Sequence, residues 1–172
     1  MRNQWSLRYA GIMSATRTTA WLDEVEMHAW RSLLRAHARL LARLDAELQA
    51  SQGMSVTDYG VLVQLSEEED GRMRMSELAE RLLLSPSGLT RRLDGLVAAG
   101  LVERHRCPTD RRGAYAVLTV AGRSRLQAAA PDHVEQVRRH FVDRLSRAQL
   151  EALADALDKV TNDKVTTEPS CP

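Results

Sequence analysis

From Trp21 onward, apolar residues return at three- and four-residue spacing: Trp30, Leu33, Leu34, Leu40, Leu41, Leu44 and Leu48, with His37 on the same stripe. That period predicts one long amphipathic helix of up to about thirty residues. Asp23, Glu24 and Glu26 stand at its start, where the helix dipole favours acids, and Gly53 ends it. Ser55-Val56-Thr57-Asp58 has the spacing of a capping box, with Asp in the fourth position. It opens a second helix through Tyr59, Val61, Leu62 and Leu65. Glu67 to Gly71 forms a charged turn, Arg72 to Met75 alternates like a very short strand, and Ser76 caps a short helix from Glu77 to Leu82.

The next stretch carries the most information. Ser85 is a natural N-cap, and Pro86 occupies the first helical turn, where its missing N–H costs nothing. Leu89, Leu93, Leu96 and Val97 form the buried stripe of this helix, and Gly100 stops it. Leu101 to Arg106 and Ala114 to Val120 read as two strands around the turn residues Cys107 to Gly113, a β-hairpin with a basic tip. A helix from about Ala121 to Leu145, bent or interrupted near Pro131, and another from about Arg147 to Val160 complete the pattern. Leu150, Leu153, Leu157 and Val160 make the last stripe. The expected fold is mainly α, a winged helix-turn-helix with a long-helix region and one small β-hairpin wing.

Composition narrows the function. Lys and Arg number 24 against 23 acids, and hydrophobic residues make up 44% of the chain. Such a balance excludes a histone-like polycation and a composition-driven disordered chain. No run approaches the ~18 apolar residues of a membrane span, and the N-terminus lacks the apolar core of a signal peptide. Two cysteines, Cys107 and Cys171, are too few for a disulfide framework, which points to the cytoplasm. The cations are nearly all Arg, as in a GC-rich bacterial genome, and Met13 is an alternative start. Charge is unevenly placed: Ser85 to Arg125 holds eight Arg against Asp94, Glu103 and Asp110, a local excess of +5 in a chain of net charge +1. A basic block in a neutral protein is the footprint of a nucleic-acid surface.

The helix beginning at Ser85 turns Ser87, Gly88, Thr90, Arg91 and Asp94 outward. Small residues let it approach a groove, hydroxyls reach bases or phosphates, and Arg91 reaches guanine or phosphate. At the hairpin tip, Asp110 can hold Arg112 in a fixed orientation, which suits insertion into a narrow minor groove. The run MRMSELAERLLLSPSGLTRRLDGLVAAGLVERHRCPTDRRGAYAVLTVAG closely resembles the MarR family of bacterial transcriptional regulators. The resemblance covers residues 21–160, and the Asp-Arg-Arg wing is its most specific part. It implies a homodimer on double-stranded DNA with a pseudo-palindromic operator. The recognition helix would enter the major groove and the wing Arg the minor groove. A small aromatic or acidic effector would release the DNA.

The division expected on these grounds is an N-terminal extension (1–20), a helical dimerisation region (21–52 and 121–160), a DNA-binding domain (55–120) and a disordered tail (161–172). The expected DNA contacts are Ser85, Pro86, Ser87, Gly88, Thr90, Arg91, Arg92, Asp110, Arg111 and Arg112. Arg92 departs from the family pattern, where its position is usually apolar. It either snorkels to a phosphate or pairs with a neighbouring acid. Trp30, His37 and Tyr59 are the candidate walls of an effector pocket, against the plainer reading of His37 as a core histidine. Arg31, Arg35, Arg39 and Arg43 repel one another at four-residue steps and call for acids, a second subunit or an anionic ligand. No Cys/His cluster suggests a metal, no motif suggests catalysis, and no cofactor is expected. The alternative to a ligand-responsive repressor is a regulator that answers to no ligand, or to oxidation at Cys107.

Overall fold

The computed structural model describes residues 20–106 and 113–161. The N-terminal extension up to residue 19, the wing tip 107–112 and the tail from 162 lie outside the described residues. The chain divides into two units, Met1–Ala36 and His37–Pro172, and the first helix, α1 (Glu24–Gln52), runs across the division. In the first unit Asp23 and Glu26 cap α1 reciprocally. The Glu26 N–H donates to Asp23 Oδ1 at 2.9 Å and the Asp23 N–H to Glu26 Oε2 at 2.8 Å. This is a full capping box, where charge alone had suggested only a dipole effect.

The second unit holds the core. Leu44 and Leu48 are the buried residues of α1. Ser55 caps α2 (Val56–Glu67) by accepting from the Asp58 N–H. A short strand β1 (Arg72–Arg74) leads directly into α3 (Met75–Arg81). Here the sequence reading needs correcting, because the N-cap is Arg74 and no side chain caps the helix. Arg74 is held extended by pairing with Tyr115, so strand pairing fixes the helix start that Ser76 was expected to set. The chain turns at Leu83, a non-glycine residue with φ +53°. The Leu83 and Leu84 N–H groups donate to Glu80 and Ala79 carbonyls, closing the end of α3.

Next comes α4 (Pro86–Ala98), buried through Leu89, Leu93 and Leu96. The Gly100 N–H donates to the Val97 carbonyl and the Leu101 N–H to the Leu96 carbonyl, a Schellman end with Gly100 at φ +70°. Strands β2 (Val102–Arg106) and β3 (Ala114–Leu118) pair antiparallel in the register Val102↔Leu118 to Arg106↔Ala114. β1 adds to the far edge of β3, so the sheet has three strands in the order β1-β3-β2 rather than a hairpin alone.

Thr119 caps α5 (Val120–His140) by accepting from the Gly122 N–H at 2.9 Å, while its hydroxyl faces the Gly100 and Leu101 carbonyls. α5 continues through Pro131 and ends at His140, short of the expected Leu145, and a 3-10 turn (Val142–Arg144) follows. Arg125 ties α5 to the end of α1 through the Gln52 carbonyl and amide oxygen, and Gln52 donates to Asp132 at 2.6 Å. α6 (Arg147–Thr161) has no buried residue. Its Leu150, Leu153 and Leu157 are half-covered, and Val160 is exposed.

Polar groups also sit beneath α5. The His133 ring lies 4.4 Å from Tyr59 of α2, and its Nδ1 is buried without a hydrogen-bond partner. Burial holds its pKa below the ordinary 6.5. Such a group is neutral in the fold while the unfolded chain begins to take up protons, so stability is lost as pH falls through 6.5 and below. Glu47, hydrogen-bonded to His140 at 2.7 Å, is held below the usual 4.5 by that bond. Its contribution is present above 4.5 and is lost only below it. Thermal melts from about pH 8 to pH 5.5 should therefore fall more steeply for the natural chain than for His133→Phe, and parallel curves would contradict the assignment.

Candidate nucleic-acid interface

The expected contact residues gather on α4. Ser85 accepts from the Gly88 N–H at 3.1 Å and lies 3.3 Å from the Ser87 hydroxyl, and the Leu89 N–H donates to the Ser85 carbonyl, so this end of the helix offers hydroxyls and the one remaining backbone N–H of Ser87. The Thr90 hydroxyl donates back to the Pro86 carbonyl at 2.8 Å, which leaves its oxygen free to accept. Ser85, Pro86, Ser87, Thr90, Arg91 and Arg92 are exposed and Gly88 is half-buried. Arg91 has no hydrogen-bond or ion-pair partner among the described residues. A helix whose Leu89, Leu93 and Leu96 are buried, with this polar set on the other side, is anchored by one face and open on the other.

Arg92 resolves between its two readings. Its guanidinium stands 3.7 Å from Asp58 and 3.4 Å from the Ser55 hydroxyl, so it pairs with an acid at the start of α2. An exposed pair at that separation adds little stability, and it leaves part of the guanidinium open. Asp110, Arg111 and Arg112 lie outside the described residues, as does Cys107.

One residue went unselected in the sequence. Arg104 of β2 donates to Asp94 Oδ1 at 2.8 Å and to the Thr90 carbonyl at 2.7 Å, binding the wing sheet to α4 at two points. The signal was strand parity, since Arg104 shares a face with buried Val102. Arg72 and Arg74 were also missed. Their guanidiniums lie 5.3 and 5.7 Å from the Tyr115 ring centre, and pairing of β1 with β3 brings them to the wing sheet.

Arg104 acts as a positioning residue. Arg104→Lys keeps the charge but loses the planar fork that spans both acceptors. It should weaken DNA binding about tenfold while costing about 1 kcal/mol of stability. Anisotropy titration beside a denaturant melt checks this, and full-strength DNA binding by the lysine variant would remove the role.

The expected pocket residues lie apart in kind. Trp30 belongs to the first unit and is 52% exposed. His37 is exposed, whereas Tyr59 is buried, with burial raising its phenol pKa above the ordinary 10.0. The ring neighbour of Tyr59 is His133. Of the arginine series on α1, Arg35 donates to the Arg31 carbonyl at 3.3 Å. No group of three His, Cys, Asp or Glu residues that could hold a metal occurs among the described residues. No described helix is long and apolar enough to cross a membrane.

A family model described as MarR family matches residues 52–113. The chain is similar to AbsC, a MarR family transcriptional regulator from Streptomyces coelicolor. Identity is 42%, the match covers 83% of this chain and 95% of that one, and the TM-score is 0.76. It is also similar to Sco3205, a MarR family transcriptional regulator from the same organism whose structure is a complex with DNA. Here identity is 37%, coverage 87% and 96%, and the TM-score 0.78. The HTH-type transcriptional repressor YetL of Bacillus subtilis (strain 168) is 27% identical over 130 residues, which is 76% of this chain and 77% of that protein.

Proposed function

The chain belongs to the MarR family of transcriptional regulators, and on that premise we propose that it is a ligand-responsive repressor that binds a pseudo-palindromic operator as a homodimer. The family is one of regulators rather than enzymes. The observation that carries the reading is α4, which is buried on one side and presents Ser87, Thr90 and Arg91, the last with no partner among the described residues, on the other. α4 enters the major groove, and Arg112, oriented by Asp110, enters the minor groove. Ser85, Pro86 and Gly88 let the helix start approach the backbone, Arg111 adds a phosphate contact, and Arg92, paired with Asp58, lies beside the backbone with only the open part of its guanidinium to offer.

Residues 55–120 form the DNA-binding domain in this reading, and 21–52 with 121–160 form the dimerisation region. Support for the latter comes from apolar surface that one chain leaves uncovered. Trp21, Leu22, Val25, Leu33 and Leu34 are exposed in the first unit, and α6 has no buried residue. An isologous dimer would cover such faces. Trp30, His37 and Tyr59 are proposed to respond to a small aromatic or acidic effector, and the protein to work in the cytoplasm.

Selection of genomic fragments with the purified chain, against competitor DNA and with candidate metabolites, tests the whole reading. The expected result is a set of sites sharing an inverted repeat, bound by dimers in sedimentation and released by an effector. Binding without sequence preference, or by a folded monomer at micromolar concentration, would contradict it.

A further inference from the structure

Among the described residues the backbone is left-handed at four positions, and three of them are Gly53, Gly71 and Gly100. The fourth is Leu83, at φ +53° in the turn between α3 and α4. Glycine adopts this conformation freely, whereas a Cβ makes it costly. Leu83 is also 92% exposed, more than any other large hydrophobic residue among those described. Its neighbours Leu82 and Leu84 pack against the core. The hydrogen bonds that close α3 use only the backbone here, the Leu83 N–H donating to Glu80 and the Leu84 N–H to Ala79, and glycine would make them equally well. One residue thus combines a strained backbone with an uncovered apolar side chain, and the fold draws stability from neither.

The place of Leu83 shows what covers it. It stands two residues before Ser85, beside the end of α4 that carries the Ser85 and Ser87 hydroxyls. In a helix-turn-helix the first helix crosses the DNA backbone while the start of the second meets base edges in the major groove. A residue in the turn between them stands at the lip of that groove. An aliphatic side chain offers nothing to a phosphate oxygen. The apolar group that base edges present in the major groove is the C5-methyl of thymine.

We propose that Leu83 is a specificity-determining residue whose side chain packs on a thymine methyl at the edge of each operator half-site. The inference rests on the DNA-binding reading of α4 and extends the same surface by one residue. The hydrogen-bonded turn and the packed flanks of Leu82 and Leu84 hold the Leu83 backbone in place before DNA arrives, so little freedom is lost when the duplex covers the side chain. Phosphate contacts by arginine carry no base identity, whereas this contact separates thymine from the other bases.

The test uses the full chain, an operator selected from random duplexes, and the variants Leu83→Gly and Leu83→Met. Leu83→Gly should raise the melting midpoint by about 2–4 °C, because it relieves the left-handed strain, and weaken operator binding by the dimer about tenfold. Opposite signs in stability and affinity mark a contact made outside the fold. Leu83→Met keeps an unbranched apolar side chain and should bind within about twofold of the natural chain. Deoxyuridine in place of thymine at one symmetric pair of positions removes only the methyl groups. It should weaken the natural chain about tenfold and leave Leu83→Gly unaffected. Full operator affinity in Leu83→Gly, the result expected if Leu83 met a partner protein instead, overturns the proposal. So does a loss that no deoxyuridine pair reproduces. Either result ends this inference alone, whereas a natural chain that selects no operator ends the DNA-binding reading with it.

Discussion

Gly122→Ala is expected to be the most damaging single methyl group in the molecule, costing about 3 kcal/mol or more. A Cβ at that position would lie 2.1 Å from the Leu101 carbonyl oxygen and 2.8 Å from Leu118 Cδ1. The first of these is backbone and cannot swing aside. It is also fixed from both sides, since the Thr119 hydroxyl lies 3.0 Å from that oxygen and the Thr119 N–H donates to it at 3.1 Å. Moving α5 outward would break the Thr119 cap and part the helix from the end of α4 and the start of β2. A denaturant midpoint well below that of the natural chain, with an unchanged slope, is the expected result. An unchanged midpoint would mean that α5 can shift at no cost, which is incompatible with this packing. Gly95→Ala is the control. Its added Cβ meets no atom within 4 Å, and it should stabilise α4 by about 0.5–1 kcal/mol.

Operator affinity is expected to drop about a thousandfold between about 50 and 200 mM salt. In the proposed dimer, Arg91, Arg111 and Arg112 of each subunit would supply about six phosphate-range cations, Arg92 being paired with Asp58, and each contact made would release condensed counterions from the duplex. The slope of log affinity against log salt then counts them. Arg91→Ala and Arg112→Ala should each flatten that slope, by roughly two contacts per dimer, while the melting curve stays close to that of the natural chain. Arg112→Ala with full operator affinity would remove the wing from the interface. A slope near zero would remove the electrostatic account altogether, since a basic block of +5 would then have no partner in DNA.

The parts of this molecule that were legible in the sequence are those whose chemistry is local. Ser85, Pro86 and Gly100 act within a turn of their own helix, so both ends of α4 could be placed from spacing alone. Ser55 and Asp58 did the same for α2. Distant pairing was less legible. β1 finds its partner in β3, across α3, α4 and β2, and that pairing moved the N-cap of α3 from Ser76 to Arg74 and its start from Glu77 to Met75. Arg92 carried a visible anomaly, but its partner Asp58 sits on another helix. Arg104 was readable from its parity with Val102, yet the contact with Thr90 and Asp94 depends on how the sheet lies on α4. Tyr59 shows the same limit in the other direction. A helical stripe identifies it as inward-facing, and only the fold shows that His133 is the ring it meets.

The central claim is that α4 reads bases through its exposed face. The most direct measurement is selection of bound sequences from random duplex DNA by the natural chain and by Thr90→Ala, run side by side. The account predicts an inverted repeat for the natural chain, with half-sites about one helical turn apart. For Thr90→Ala it predicts the same repeat with relaxed preference at one symmetric pair of positions and a loss of about 1–3 kcal/mol against the natural site. An identical sequence preference in both proteins, or none in either, would contradict it.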